Sequence, residues 1–419
     1  MHTPYSLHTL RLRLRRLFYR VQNVSRTFPL CVIFCACLFV SNARYLYASD
    51  SLIDAGRATS IDLVLESAMR QGLIAGGVVV IGDRNGLQYS TARGRLFPAP
   101  EYPLLSDRTI FDIASLTKVI ATTPAIMKLL EQGQINLLDP ITRWFPEFEG
   151  TGREETTILN LLTHTSGIND IDIPVENPTA GALAKVALQN SGSLPGNRFR
   201  YADINFILLG ELVTRVTGIS LERFSSEQLF APLAMADTLF RPPSDVPLSI
   251  APTAGNSRVL QAGIVQDQNS RRLNGVAGHA GLFSSASDLS RFATMILNKG
   301  RSQTGAQLFS SRVIAQMTAP YFYSNGRIIR GLGWDIHSPF SSPRGVFFSE
   351  MSFGHTGYSG SSIWIDPDQD LFVILLTTRL DYVNIHHFNR LRSDISTLAV
   401  SIFGHPALVD EIITNPQIP

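Results

Sequence analysis

The chain has 419 residues, of which 44% are hydrophobic, so it can bury a large core. Its formal net charge is only +2. Outside one N-terminal group of arginines the chain is close to neutral, and this charge balance gives no indication of a nucleic-acid partner. That group consists of Arg11, Arg13, Arg15, Arg16, Arg20 and Arg26.

All three cysteines lie within the apolar stretch 29–40, so the rest of the chain offers no disulfide. The chain contains no C-x-x-C pair and no H-E-x-x-H run, and the adjacent His386 and His387 cannot face one site from a regular helix or strand. The G-x-S-x-G and G-x-G-x-x-G patterns are also absent. We therefore expect no metal and no cofactor, and neither an α/β-hydrolase nor a dinucleotide enzyme.

Residues 1–48 have the order of an export signal: a basic stretch, an apolar core at 30–40, and small residues at 41–43 that predict cleavage after Ala43. The apolar core is shorter than the ~20 residues that span a bilayer. The alternative is an uncleaved signal anchor extended by residues 45–47. Both predict a periplasmic or other extracytoplasmic location, with inner-membrane association if the segment is retained. The basic region is unusually long, which leaves the start codon open.

Beyond this segment, residues 61–70 have helical apolar spacing, and residues 76–81 and 86–91 are predicted strands joined by a turn. From 115 to about 292 the pattern is mostly helical, with helices predicted at 115–131, 158–162, 205–217, 221–229 and 288–297. Strands are predicted again at 345–348, 360–365 and 371–377, before a closing helix at 389–403.

This order of strands, helical insert and strands is typical of an α+β lobe that carries an all-helical lobe. We predict one domain at 49–405, with a sheet lobe at about 55–110 and 293–405, a helical lobe at about 111–292, and a C-terminal tail at 406–419.

Ser115 and Lys118 place a hydroxyl and an amine three residues apart at the start of a predicted helix. Residues i and i+3 share one helix face, so the amine can reach the serine oxygen. A helix N-terminus also favours negative charge near the hydroxyl, which helps when an oxygen attacks a carbonyl. The pair resembles a nucleophile beside its base, although the spacing alone also fits a capping serine and a solvated lysine.

Tyr201 and Asp203 stand at the mouth of the apolar helical run that follows them. A lysine ammonium near the phenol would lower the pKa of Tyr201, which could then shuttle a proton. The same pattern also fits an ordinary helix start that Asp203 caps.

A glycine-flanked polar strand at 353–360 runs into the hydrophobic strands 360–365 and 371–377. Glycines let a ligand approach the backbone closely, and an exposed strand edge can offer N–H donors to it. The segment therefore predicts one wall of a binding site.

The three motifs, in this order, resemble those of the penicillin-recognising serine hydrolases of the class C β-lactamase and D-alanyl-D-alanine carboxypeptidase type: S-x-x-K, Y-x-N, and K-T-G or H-T-G. The resemblance spans roughly 55–400, and the run at 275–284 is similar to a narrower group that includes the penicillin-binding protein 4B type of carboxypeptidase. It implies an α+β, β-lactamase/transpeptidase-like fold, with an antiparallel sheet flanked by helices and an all-helical lobe. Further matching segments are 133–141, 158–167, 232–235 and 331–334.

The resemblance also implies roles for individual residues. Ser115 would be acylated, and Lys118 and Tyr201 would share the base and acid work in an order that the sequence leaves open. The N–H groups of Ser115 and Tyr358 would form the oxyanion hole, at about 2.7 to 4 kcal/mol per donor. Thr356 is implied to bind the substrate carboxylate. The wall of the site would consist of His355, Thr356 and Gly357.

Two positions depart from the family pattern. His355 stands where the β-lactamases usually carry lysine, as in some D-alanyl-D-alanine peptidases, which favours a peptidase. Asp203 stands where the motif usually has asparagine, and an ionised carboxylate can accept from Lys118 but cannot donate to a substrate carbonyl. Asn205 could supply the missing amide, although a shift of two residues on a helix turns it to another face.

Four further residues are expected to be structural. We expect His164 and His279 to hold loops by hydrogen bonds rather than act in catalysis, and Trp334 and Trp364 to pack in the core.

The sequence thus predicts an exported serine-type D-alanyl-D-alanine carboxypeptidase whose partners are peptidoglycan-derived peptides or β-lactams. A class C-type β-lactamase or a carboxylesterase remains open, because the scaffold is shared. A non-catalytic wall-binding protein is a further alternative, against which the intact Ser115, Lys118 and Tyr201 argue.

Overall fold

The computed structural model describes Gly56 and residues 58–405, apart from 190–192, 244–248 and 255–259. The predicted export segment and the predicted tail at 406–419 lie outside the described residues.

The described residues form ten strands in three groups: a five-stranded sheet of order β2-β1-β10-β9-β8, a three-stranded sheet of order β3-β5-β4, and the hairpin β6-β7. Their bounds are β1 Ile74–Asp83, β2 Gly86–Gly94, β3 Ile110–Asp112, β4 Leu239–Phe240, β5 Leu282–Ser285, β6 Pro320–Ser324, β7 Arg327–Gly331, β8 Phe353–Thr356, β9 Ser362–Asp366 and β10 Leu371–Arg379.

The same part of the chain forms ten α-helices. They are α1 at 58–70, α2 Thr123–Glu131, α3 Ile158–Leu162, α4 Pro178–Ala187, α5 Asp203–Thr217, α6 Leu221–Ser225, α7 Gln268–Arg272, α8 Ala286–Leu297, α9 Ser311–Thr318 and α10 Ile385–Phe403.

Both faces of the main sheet are covered, because its central strands are apolar on both sides. Alternate residues of a strand point to opposite faces. Val78 and Val80 of β1 join the large core that includes α2, α5 and α8, whereas Val79 and Ile81 join a second core with α1 and α10. Every residue of β10 is likewise buried.

The predicted fold class is confirmed: an antiparallel sheet is flanked by helices, beside a mostly helical segment. That segment also carries the short strands β3, β4 and β5. The predicted burial of Trp334 and Trp364 is confirmed as well.

The strand predicted at 345–348 is wrong. Residues Ser342–Arg344 form a 3-10 turn instead, and Gly345 follows it with a φ of +88°, far from the extended values of a regular strand. The apolar signal of the segment comes from Phe347 and Phe348, which pack on the second core.

No single helix of the described residues has the length and apolar character to cross a membrane. Helix α5 and the helical segment 221–233 pass that test only together, and they are bent by 80° relative to each other.

Candidate active site

The segment that carries Ser115 begins with a strained turn. Ala114, directly before it, has a φ of +46°, and its N–H donates to Asp112 Oδ1 at 2.8 Å. The other oxygen of Asp112 accepts from the Gln266 N–H at 2.7 Å. Burial raises the pKa of Asp112 to about 6 despite these two bonds. The carboxyl group therefore holds Ser115 in the middle of a 3-10 turn, Ala114–Leu116, rather than inside a regular α-helix.

A π-helical segment, Lys118–Thr122, connects this turn to α2 and brings three functional groups together. The amine Lys118 Nζ and the phenol Tyr201 Oη each lie 3.1 Å from the hydroxyl Ser115 Oγ. Lys118 also lies 5.0 Å from the centre of the Tyr201 ring. A hydroxyl thus stands between an amine and a phenol, which is an arrangement that can activate a nucleophile.

Lys118 is completely buried but has three acceptors. Besides Ser115, they are Asp203 Oδ1 at 2.8 Å and the His279 carbonyl at 3.1 Å. Burial alone would lower the pKa of Lys118, but its interactions with Asp203, chiefly the negative charge of that carboxylate, and with Tyr201 outweigh burial, so the net pKa is raised. Burial also opposes the charged form of Asp203 and acts to raise its pKa, but the attraction of Lys118 outweighs burial, so the net pKa of Asp203 is lowered. Both directions describe an ammonium–carboxylate pair.

The prediction of a lowered pKa for Tyr201 is wrong. Burial raises the pKa of the phenol more than the Lys118 ammonium lowers it. Tyr201 therefore rests as a neutral phenol beside a charged lysine.

His164 and Asn205 support Tyr201 from behind. The His164 ring stacks on the Tyr201 ring at 4.5 Å and accepts the Ala202 N–H at its Nδ1. Asn205 is buried, donates to the Ala202 carbonyl and accepts from Ser166 Oγ. Neither residue lines the cleft, so Asn205 does not supply the missing amide.

Strand β8 and the loop after it form the opposite wall. Ser359 Oγ and Ser361 Oγ donate to the carbonyls of Asp112 and Ile113, at 2.6 and 2.9 Å. Arg392 donates to the carbonyls of Gly357 and Ser361, and Arg379 donates to that of Tyr358. Hydrogen bonds therefore connect the loop both to the segment of Ser115 and to the core.

The two walls enclose a cleft of about 530 Å³. It is lined by every predicted site residue except Lys118, which lies behind Ser115. Those lining residues are Ser115, Tyr201, Asp203, His355, Thr356, Gly357 and Tyr358.

Sequence reasoning missed several charged residues of the cleft. Arg392 lies within α10, whose helical spacing could have indicated it, whereas the others lie in loops, in short elements or at a strand end, outside any short motif. The residues are Asp267, Arg271, Arg330, Arg379 and Arg392.

His279 holds a loop, as expected, through the 2.8 Å contact of its Nε2 with Asp267 Oδ1. Burial acts to raise the pKa of Asp267, but the hydrogen bond from His279 outweighs it and lowers that pKa to about 2. Asp203, Asp267 and His279 bring one potential ligand atom each within 4.8 Å of one another. The Lys118 ammonium already supplies a positive charge to this cluster.

Comparison with known proteins places this geometry in a family. The family model described as Beta-lactamase matches residues 61–392, which is most of the chain. An N-acetylmuramyl-L-alanine amidase of Bacillus subtilis is 30% identical over 311 residues, which cover 66% of this chain and 69% of the amidase. A protein of Salmonella agona named "Putative D-alanyl-D-alanine carboxypeptidase" is 29% identical over 316 residues, covering 66% and 71%.

Solved structures show the same fold at low identity. A class C β-lactamase superimposes with a TM-score of 0.68 at 18% identity, over 83% of this chain and 96% of that one. EstCE1, a hydrolase with promiscuous acyltransferase activity, has a TM-score of 0.65 at 21% identity, over 82% and 100%. The chain belongs to the Beta-lactamase family and is a serine hydrolase of the β-lactamase fold.

Proposed function

We propose that the protein is an exported D-alanyl-D-alanine carboxypeptidase that acts on cell-wall peptides through an acyl-enzyme on Ser115. The observation that carries the proposal is the position of Lys118 Nζ and Tyr201 Oη, each 3.1 Å from Ser115 Oγ, in a cleft whose far wall carries Thr356. The carboxypeptidase name of the Salmonella relative supports the choice of substrate.

In the proposed reaction, Ser115 Oγ attacks the carbonyl carbon of the penultimate D-alanine residue and forms an ester. Because Lys118 and Tyr201 both rest protonated, one proton first leaves this pair. The pair then accepts the serine proton and returns a proton to the leaving amine as the C–N bond breaks. The N–H groups of Ser115 and Tyr358 stabilise the oxyanion. Water then hydrolyses the ester and regenerates Ser115.

The positive wall of the cleft suits a leaving group that ends in a carboxylate. Thr356 offers a hydroxyl there, and Arg392 lies directly behind Gly357. Burial, reinforced by the charge of Arg379, lowers the pKa of Arg392 to about 9, so its guanidinium stays positive at neutral pH.

The decisive experiment labels the purified protein with a fluorescent penicillin and then measures hydrolysis of a D-alanyl-D-alanine peptide. A muramyl-alanine amide, a chromogenic cephalosporin and a short-chain aryl ester serve as competing substrates. The proposal requires the highest kcat/KM for the D-alanyl-D-alanine peptide. A higher value for another substrate assigns the site to an amidase, a β-lactamase or an esterase.

Ser115→Ala should abolish labelling without unfolding the protein, because it removes one hydroxyl from the edge of a cleft. Ser290→Ala, half-buried on α8 and outside the cleft, is the matched control and should label normally. A mass shift that persists on Ser115→Ala would identify a different nucleophile.

Export is part of the same proposal and comes from the sequence of residues 1–48 alone. N-terminal sequencing of protein from the periplasm should begin near Arg44 or Ser49 if the signal is cleaved. Full-length protein in the membrane fraction would favour the anchor, and recovery only from the cytoplasm would contradict export.

A further inference from the structure

Arg330, on β7, is buried in contact with His355. Its side chain is 1% exposed, and its Nη2 lies 3.1 Å from His355 Nε2 and 2.9 Å from the Gly333 carbonyl. A guanidinium can only donate, so His355 Nε2 must be the acceptor and the ring proton must be on Nδ1. Nδ1 lies 2.8 Å from the Thr356 carbonyl, which accepts that proton. The contacts therefore require neutral His355 in one tautomer.

The charges around His355 favour the same state. Burial holds its pKa well below the ordinary value, and the positive charges of Arg330 and Lys118 add to that effect. Among the described residues, Asp335 is the only carboxylate close to Arg330, and its Oδ1 lies 3.4 Å from Arg330 Nη1. The groups that face His355 are Arg330 of β7, Asp335 after it, Lys118, Arg392 of α10, and the rings of Tyr201 and His164.

Arg330 also brings a permanent positive charge to this side of the cleft. Its guanidinium carbon lies 5.8 Å from the centre of the Tyr201 ring and 5.6 Å from that of Phe199. A histidine that changed its charge at this position would alter both the hydrogen bond to Thr356 and the field at Tyr201. A guanidinium stays charged at every pH of interest and prevents this change.

We propose that Arg330 is a positioning residue that fixes His355 as the neutral, Nδ1-protonated tautomer, so that the wall formed by His355 and Thr356 keeps one geometry at acidic and neutral pH. The kinetic part of this inference rests on the proposed reaction at Ser115. The protonation state of His355 does not, and it can be measured without any substrate.

The test uses the double variant Arg330→Met/Asp335→Asn in the full chain. Removing Arg330 alone would leave Asp335, which is 2% exposed, as an unpaired buried charge and would destabilise the fold strongly. Asparagine keeps an acceptor for the Ser338 N–H, which Asp335 Oδ1 accepts at 3.4 Å.

The first measurement is a pH titration of the histidine ring nitrogens by NMR, with the His355 signals identified by their loss in His355→Gln. In the unmodified protein His355 should stay neutral down to pH ~5, protonated only at Nδ1. In the double variant the pKa of His355 should rise, because one of the positive charges that lower it is gone, and the Nε2-protonated tautomer should become populated, because position 330 no longer donates to Nε2.

The second measurement is kcat/KM for the substrate that the protein hydrolyses best. If activity needs neutral His355, the value of kcat/KM at pH 5.5 relative to pH 7.5 should be lower in the double variant than in the unmodified protein, by up to about tenfold, which is the limit set by an ordinary histidine pKa of about 6.5. Arg330→Lys keeps a charged donor at this position, so the pH dependence of its kcat/KM should resemble that of the unmodified protein.

Arg153→Met is the matched control, because Arg153 is equally buried, lies outside the cleft and donates to the Val186 and Gln189 carbonyls. It should lower stability and leave the titration of His355 unchanged. Titration of His355 near pH 6.5 in the unmodified protein, or a His355 that keeps both its pKa and its Nδ1-protonated tautomer in the double variant, would overturn the inference. Absence of hydrolysis together with the expected titrations would contradict only the proposed function.

Discussion

Asp203 changes what Lys118 can do before substrate arrives. All three N–H donors of a lysine ammonium have acceptors here, in Ser115, Asp203 and the His279 carbonyl. An ammonium cannot take the proton of Ser115, so one proton must leave Lys118 or Tyr201 before acylation. The carboxylate therefore stabilises the resting site and makes the lysine a weaker acid.

We predict that Asp203→Asn keeps or increases acylation by amide substrates and moves the acidic limb of the rate profile to lower pH. The substitution removes the negative charge that helps to raise the pKa of Lys118, and it adds an N–H donor for a substrate carbonyl. The measurement is kcat/KM against pH for both proteins.

Asp267→Asn is the matched control for this prediction. Asp267 lies in the same cleft, but its 2.8 Å partner is His279 rather than Lys118. Its acidic limb should move less than that of Asp203→Asn. Identical profiles for Asp203→Asn and the unmodified protein would show that the charge of Asp203 does not control Lys118, and a large loss of activity would show that the carboxylate itself is required.

At the level of elements, the site depends on how closely β8 approaches the segment of Ser115. Gly357 follows β8 at the closest point, where a methyl group would overlap Ser361 Oγ and lie 2.5 Å from the Ile113 carbonyl oxygen. That oxygen belongs to the backbone two residues before Ser115 and cannot move independently of it.

Gly357→Ala should therefore separate the two walls of the cleft and lower kcat/KM, by about 10²-fold if the displacement reaches about 1 Å. Gly77→Ala on β1 is the matched control, because its methyl group would meet only the Leu65 side chain at 3.1 Å and ordinary contacts on β10. Steady-state kinetics and thermal unfolding of both variants test this.

The combination Gly357→Ala/Ser361→Gly separates the two contacts. It removes the overlap with Ser361 Oγ but leaves the Ile113 carbonyl in place, so it should not recover activity. Full recovery would mean that the side chain of Ser361, rather than the approach of the two backbones, limits position 357.

The elements also show where sequence reasoning succeeds and where it ends. Helix α5 and strand β10 were predicted to within two residues of their bounds, because their apolar periodicity reflects burial directly. The hairpin β6-β7 was missed, since its strands are short and half-exposed. Arg330 of that hairpin was missed with it.

The candidate site shows the same limit. Ser115 and Lys118 could be paired from sequence because they are three residues apart on one element, whereas the third partner of Lys118, the His279 carbonyl, is 161 residues away. The direction of the pKa shift of Tyr201 depends on how many groups bury it, and no local pattern contains that quantity.

At the scale of the whole molecule, stability is coupled to pH by two carboxyl groups of opposite behaviour, the buried Asp112 and the half-buried Asp267. Asp112 has a pKa raised to about 6, mainly by burial, whereas the hydrogen bond from His279 outweighs burial and lowers that of Asp267 to about 2. A raised pKa adds stability that is complete below the ordinary value and is lost as pH rises through the folded value. A lowered pKa adds stability that is lost as pH falls.

The pH range in which stability changes therefore lies between the ordinary pKa of 3.8 and about 6 for Asp112, and between 3.8 and about 2 for Asp267.

We predict that the free energy of unfolding falls by about 2 kcal/mol between pH 4 and 6.5 because Asp112 ionises. Asp112→Asn should remove this loss while lowering absolute stability, because the amide cannot accept both N–H groups. Urea unfolding at pH 4, 5, 6 and 6.5 measures the difference. Asp267→Asn is the control and should leave most of the slope in this range, because the charge of Asp267 is one of the smaller causes of the raised pKa of Asp112. Parallel curves for Asp112→Asn and the unmodified protein would show that Asp112 ionises near its ordinary pKa, and the strained turn before Ser115 would then hold a charged carboxylate at every pH at which the enzyme works.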